Sequence, residues 1–156
     1  MSSHNQLVAE LTARWPEHRI GPGLDRERAV LDLLGNPQQA CPVIQIAGTN
    51  GKGSTAIMVD SLLRSAGLRV GRYCSPPLLD VTERISIAGR PGSHDLFDET
   101  WRQVEPMVGL VDAQHIDGIE MSGFEVMPAL GCAAFAAGPV AVAGVEGGGG
   151  GRGGAG

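Results

Sequence analysis

Aromatic side chains are scarce. There are three Phe, two Trp and one Tyr in 156 residues, so a core has to be filled by Leu, Val, Ile and Ala. Positive charge is short as well. Twelve Lys and Arg stand against seventeen Asp and Glu, a formal charge of −5. That balance argues against a general nucleic-acid binder, and any anion site must be a local gathering of backbone N–H groups and a few cations. Long apolar runs are missing too: nothing approaches the roughly 18 residues of a membrane span. The opening stretch MSSHNQLVAELTARW has charges where a signal peptide needs an apolar centre. Cys41, Cys74 and Cys132 are odd in number, far apart and without CxxC or Cys/His spacing. A disulfide framework and a structural zinc site are both disfavoured, and buried or incidental thiols in a reducing, cytoplasmic setting are expected.

Glycine, by contrast, is abundant, with 24 residues. Nine of them fall among the thirteen residues from Gly144 to Gly156. Such a stretch has little side-chain surface to bury and much backbone entropy to lose, so 147–156 is expected to be a flexible tail.

Ahead of that tail the chain alternates helical and strand patterns. Leu7, Val8, Leu11 and Trp15 recur at helical spacing, and a second helix should follow to Leu34, stopped by Gly35-Asn36-Pro37. Residues 1–41 thus form an N-terminal helical segment. PVIQIA (42–47) reads as a buried strand. Residues 53–66 read as a helix with Ile57, Val59, Leu62, Leu63 and Ala66 on its apolar face, ended by Gly67. Strands are expected at 68–75, 83–89 and 139–146. A helix over 95–113 should be kinked or split at Pro106. An apolar helix should begin at SGFE, where Ser122 and Glu125 have capping-box spacing. The order strand–helix–strand around 43–73 implies an α/β fold with a mostly parallel sheet over 42–146.

AGTNGKGST (47–55) sits between the first strand and the helix after it. Gly48, Gly51 and Gly53 allow close backbone approach to an anion. The loop N–H groups converge at the positive end of the helix dipole. Lys52 adds a mobile charge, and Ser54 and Thr55 add hydroxyls. The alternative is a tight strand-to-helix turn with an incidental lysine. The stretch departs from the general P-loop pattern G-x-x-x-x-G-K-[ST] at Ile46, where a glycine is required, and at Gly53, where a hydroxyl is required.

Those departures match a narrower pattern. GTNGKGS resembles the loop of the Mur-like ATP-dependent amide ligases. Together with CSPPLLDVTERISIAG (74–89), MSGFEVMPAL (121–130) and VEGGGGGRGG (145–154), it resembles the folylpolyglutamate synthase/dihydrofolate synthase family. The resemblance implies a P-loop, Mur-ligase-like ATPase domain that uses ATP and Mg²⁺ to join L-glutamate to folate or dihydropteroate through an acyl phosphate. It implies ATP binding by Gly48, Thr49, Asn50, Gly51, Lys52, Gly53, Ser54 and Thr55, with Lys52 catalytic at the β/γ-phosphates. Ser75 and Glu146 would ligate Mg²⁺; the alternatives are a turn serine and a last charge before the tail. Ser122, Gly123, Phe124 and Glu125 would line the pteridine pocket, or else cap a helix. Ile20, Gly21 and Pro22 match a further pteroate-contacting stretch. Thr82, Glu83 and Arg84 match a structural segment of the family. The four histidines match none of its functional histidines and are expected on the surface.

The pattern breaks after Glu146. Gly148, Gly150, Gly151 and Arg152 align with the family, but Gly154 stands where the resemblance calls for an aspartate. The chain reads as the N-terminal part of such a synthetase with an incomplete sheet and no C-terminal domain, unable to complete the ligase reaction alone. A monomer handling small molecules is expected, with no nucleic-acid or membrane partner. Another Mur-like ligase, or a non-catalytic ATP-binding fragment, are the other readings.

Overall fold

A computed structural model describes residues 3–14, 24–48, 50–74 and 81–146. Its chain forms two compact units, one from Met1–Gln38 and His94–Ala137, the other from Gln39–Ser93 and Gly138–Gly156.

The first unit is helical: α1 (Ser3–Ala13), α2 (Leu24–Leu33), α4 (His94–Ala113) and α5 (Gly123–Ala137). Leu7 and Leu11 put the face of α1 into the core, while α4 contributes Phe97, Trp101, Val104, Val108 and Val111 at helical spacing. α5 is apolar nearly all round and is buried along its length, which is where such a helix must lie. α2 ends as its glycine suggested. Gly35 is left-handed at φ 82°, and the bonds Asn36 N–H to Leu31 O and Gly35 N–H to Asp32 O close a Schellman turn.

Two expectations change in this unit. Of the kink or split expected at Pro106, the split does not occur, and α4 runs through it. The ring lies on the exposed side of the helix, so the carbonyl deprived of its N–H partner faces water. His4 is not a surface residue: it is 6% exposed and stacks on the exposed His94, ring centroids 3.6 Å apart, with Nδ1 3.4 Å from Asp98 Oδ1.

The second unit is a five-stranded sheet in the order β1-β5-β2-β3-β4. Its strands are β1 (Val43–Ile46), β2 (Val70–Tyr73), β3 (Ile85–Ile87), β4 (Arg90–Pro91) and β5 (Val142–Glu146), with α3 (Lys52–Ser65) between β1 and β2. β5 enters between β1 and β2 and runs parallel to both; β3 and β4 add antiparallel pairs. The β3–β4 hairpin was not foreseen. Its two turn residues, Ala88 and Gly89, both have positive φ (55° and 80°), the twist a two-residue hairpin needs.

β1 was expected to be buried and is not. It forms the sheet edge, and Val43 and Ile44 are 50% and 38% exposed. α3 also docks by a different row from the one expected. Ala56 and Asp60 are buried and Val59 and Leu63 half-buried, whereas Ile57 and Leu62 face solvent. Gly67 ends α3 in a second Schellman turn, with Leu68 N–H on Leu63 O and Gly67 N–H on Arg64 O.

Candidate nucleotide-phosphate site

The carboxyl ends of the three parallel strands lie side by side. Ile46, the last residue of β1, is in register with Glu146, the last of β5, and Tyr73 of β2 is in register with Val145. In open α/β sheets this edge is where ligands bind. β1 leads directly into the glycine loop, and Glu146, 8% exposed, sits beside the strand that delivers it.

The loop turns into α3 through Gly51, the N-cap, at φ 73°, ψ 10° with no side-chain cap. A residue with a Cβ would be strained there, and a capping side chain would occupy the helix end. Glycine leaves that end open. The first helical bond runs from Thr55 N–H to Gly51 O at 2.9 Å, so the amides of Gly53 and Ser54 have no acceptor one turn back. Gly48 is also at positive φ, 147°, and the stem of Lys52 folds back over it: a Cβ on Gly48 would lie 3.8 Å from Lys52 Cγ. Asn50, Ser54 and Thr55 are exposed. Amides, the stem of a lysine and two exposed hydroxyl-bearing residues thereby meet at one helix N-terminus, an arrangement suited to phosphate. Thr49 lies outside the described residues.

No protein-family model matches the chain. Over 152 residues, 94% of the chain, it is 51% identical to the dihydrofolate synthase/folylpolyglutamate synthase of Mycobacterium tuberculosis. The structure of the M. tuberculosis folylpolyglutamate synthase complexed with ADP superimposes on 96% of the chain with a TM-score of 0.89 at 49% identity. The chain belongs with the folylpolyglutamate/dihydrofolate synthases. It spans 31% of the length of that curated relative and 33% of that structure's chain. A structure of Escherichia coli FolC in complex with DHPP and ADP is also similar, with a TM-score of 0.80 at 28% identity.

The synthase resemblance singled out residues beyond the loop. Ser75 follows Cys74 at the end of β2 and lies outside the described residues, as do Ile20, Gly21 and Pro22. The Cys74 thiol is pushed up mainly by burial; Arg72 opposes the rise and Glu146 and Asp60 add to it. Among the described residues no group of three or more His, Cys, Asp or Glu forms a ready metal cage. Glu146 is a buried carboxylate at the strand ends, a donor type that suits a hard cation.

In the helical unit, Ser122 and Glu125 open α5. Ser122 N–H donates to Glu125 Oε2 at 3.3 Å, the glutamate half of the expected capping box. Glu125 is held more strongly by Arg26, whose Nε donates to Oε2 at 2.9 Å and Nη2 to Oε1 at 2.6 Å. Arg26 also donates from Nη1 to Ile116 O at 3.3 Å and lies 3.5 Å from Asp117. The hydrogen bond to Glu125 raises the Arg26 pKa further. Glu27, half-buried on the same helix, has its carboxyl pushed up by burial and then by the Glu125 charge. Gly123 begins α5, its N–H bonded to Arg14 O at 2.9 Å. The side chain of Phe124 lies outside the description.

Two residues escaped the sequence reading. Arg26 had no local signal, because its partner is far away in the chain. Asp60 did have one: it precedes Arg64 by one helical turn, a pairing that spacing alone can reveal.

Proposed function

We propose that this chain supplies the ATP-phosphate grip of a ligase that adds L-glutamate to folate or dihydropteroate. The observation that supports it most is the left-handed Gly51 turn, which presents Lys52 and open amides at the start of α3 beside Glu146. The relatives' names supply the substrates, and ADP is the nucleotide in their structures.

The chemistry explains the parts. A carboxylate resists an amine because its oxide leaves poorly. Phosphorylation by ATP supplies a leaving group, and the amine of glutamate then displaces phosphate to form the amide. The first step brings two anions together, and their repulsion has to be offset. Lys52 faces the β/γ-phosphates, and the N–H groups of Gly51, Gly53 and Ser54 donate to the phosphate oxygens as negative charge develops on them. Removing one such contact typically costs about 3–4 kcal/mol of transition-state stabilisation. Glu146, together with Ser75, would hold Mg²⁺, which supplies positive charge to the phosphates. Ser122 to Glu125 and Ile20 to Pro22 are assigned to the pterin end of the substrate.

The complete reaction belongs to proteins of which this chain spans 31%. The part of that reaction assigned to this chain is the grip on the nucleotide phosphates. Titrating the chain with ATP and Mg²⁺, before and after Lys52→Ala, tests that assignment, and ATP binding that is indifferent to the substitution would refute the loop's role.

A further inference from the structure

α3 carries the phosphate loop at its start, yet little apolar surface holds it down. Its buried residues are Ala56 and Asp60, and Ile57, Met58 and Leu62 are 54%, 58% and 69% exposed. A carboxylate in the docking face of a helix is costly unless it is paired. Asp60 is paired twice. Its Oδ1 lies 3.1 Å from Arg64 Nε on the same helix, and its Oδ2 lies 3.9 Å from Arg72 Nε on β2. The single N–H of that Arg72 nitrogen donates to Ser86 Oγ on β3 at 3.2 Å, so its pairing with Asp60 is one of charge. The Arg64 guanidinium lies on the hairpin turn at Gly89, where an added Cβ would come within 2.5 Å of Nη1. Helix, central strand and hairpin are thus tied at one buried carboxylate.

We infer that Asp60 is a positioning residue for the nucleotide phosphates. Through Arg72 it sets the angle of α3 on the sheet, and hence where Lys52 and the loop amides point. The inference rests on the phosphate-loop reading above. Lys52 is two turns from Asp60, about 12 Å along the axis, so a tilt of about 5° at Asp60 moves the loop by about 1 Å. Displacements of that size matter where charges must meet phosphate oxygens.

The test is titration of the whole chain with ATP, ADP and AMP, comparing wild type with Asp60→Asn, which removes the charge and keeps the shape. A smaller folded fraction weakens all three nucleotides by one factor. A mis-aimed loop weakens those whose outer phosphates it grips. Asp60→Asn is expected to lose about tenfold for ATP and ADP while AMP changes by less than about twofold. Should Asp60→Asn fail to fold, Arg72→Met leaves Arg64 on Asp60 and carries the same test. Equal weakening of all three nucleotides, or none, overturns the inference while leaving the phosphate reading intact. A folded wild type that binds none of them overturns both.

Discussion

Arg26 and Glu125, 99 residues apart in sequence, meet through two hydrogen bonds of 2.9 and 2.6 Å, their side chains 2% and 9% exposed. A buried pair of this kind adds little over an apolar replacement of both partners, but losing one partner strands the other charge. Glu125 therefore holds α2 to the start of α5 whatever else it does.

Arg26 keeps Ile116 O and Asp117, so Glu125→Ala should destabilise the helical unit by about 3 kcal/mol, the low end of the cost of breaking a buried pair. Thermal unfolding followed by circular dichroism checks this. A melting temperature unchanged from wild type would show that the pair is not buried in solution.

Glu27 gives a pH dependence of definite sign. Burial raises its folded pKa above the ordinary carboxylate value. The folded state then holds a proton that the unfolded state has released, so stability falls as pH rises from the ordinary value through the raised one. Glu27→Gln should remove that fall and leave the variant less pH-sensitive across the window. Urea unfolding of both proteins at several pH values measures it, and parallel curves would contradict the assignment.

Gly89→Ala places a Cβ against Arg64 at a backbone φ of 80°. An L side chain in that conformation costs about 1–2 kcal/mol. Arg64 must also move. A loss of stability of at least that size is expected in chemical denaturation, and a neutral result would mean the hairpin turn is not held as described.

The parts of this molecule legible in the sequence are the local ones. Gly35 and Gly67 end helices because left-handed caps are a local demand, and the turn into α3 is readable because Gly48 and Gly51 adopt the positive φ that glycine allows. The illegible parts depend on partners remote in the chain. β1 looked buried because VIQI is apolar, but whether a strand is central or at an edge is decided by β5, nearly a hundred residues on. The apolar side of α3 looked like its docking face, yet the Asp60 row faces the sheet because Arg72 and Ser86 wait there. His4 looked incidental for the same reason: His94 and Asp98 come from another helix.

Calorimetric titration of the chain with ADP, before and after Lys52→Ala, bears most directly on the phosphate loop. Saturable one-site binding is expected, weakened in the variant by about 1.5–3 kcal/mol, the worth of a hydrogen bond to a charged group. A folded wild-type chain that takes up no ADP, or a variant that binds it equally well, would contradict the grip assigned to residues 48–55.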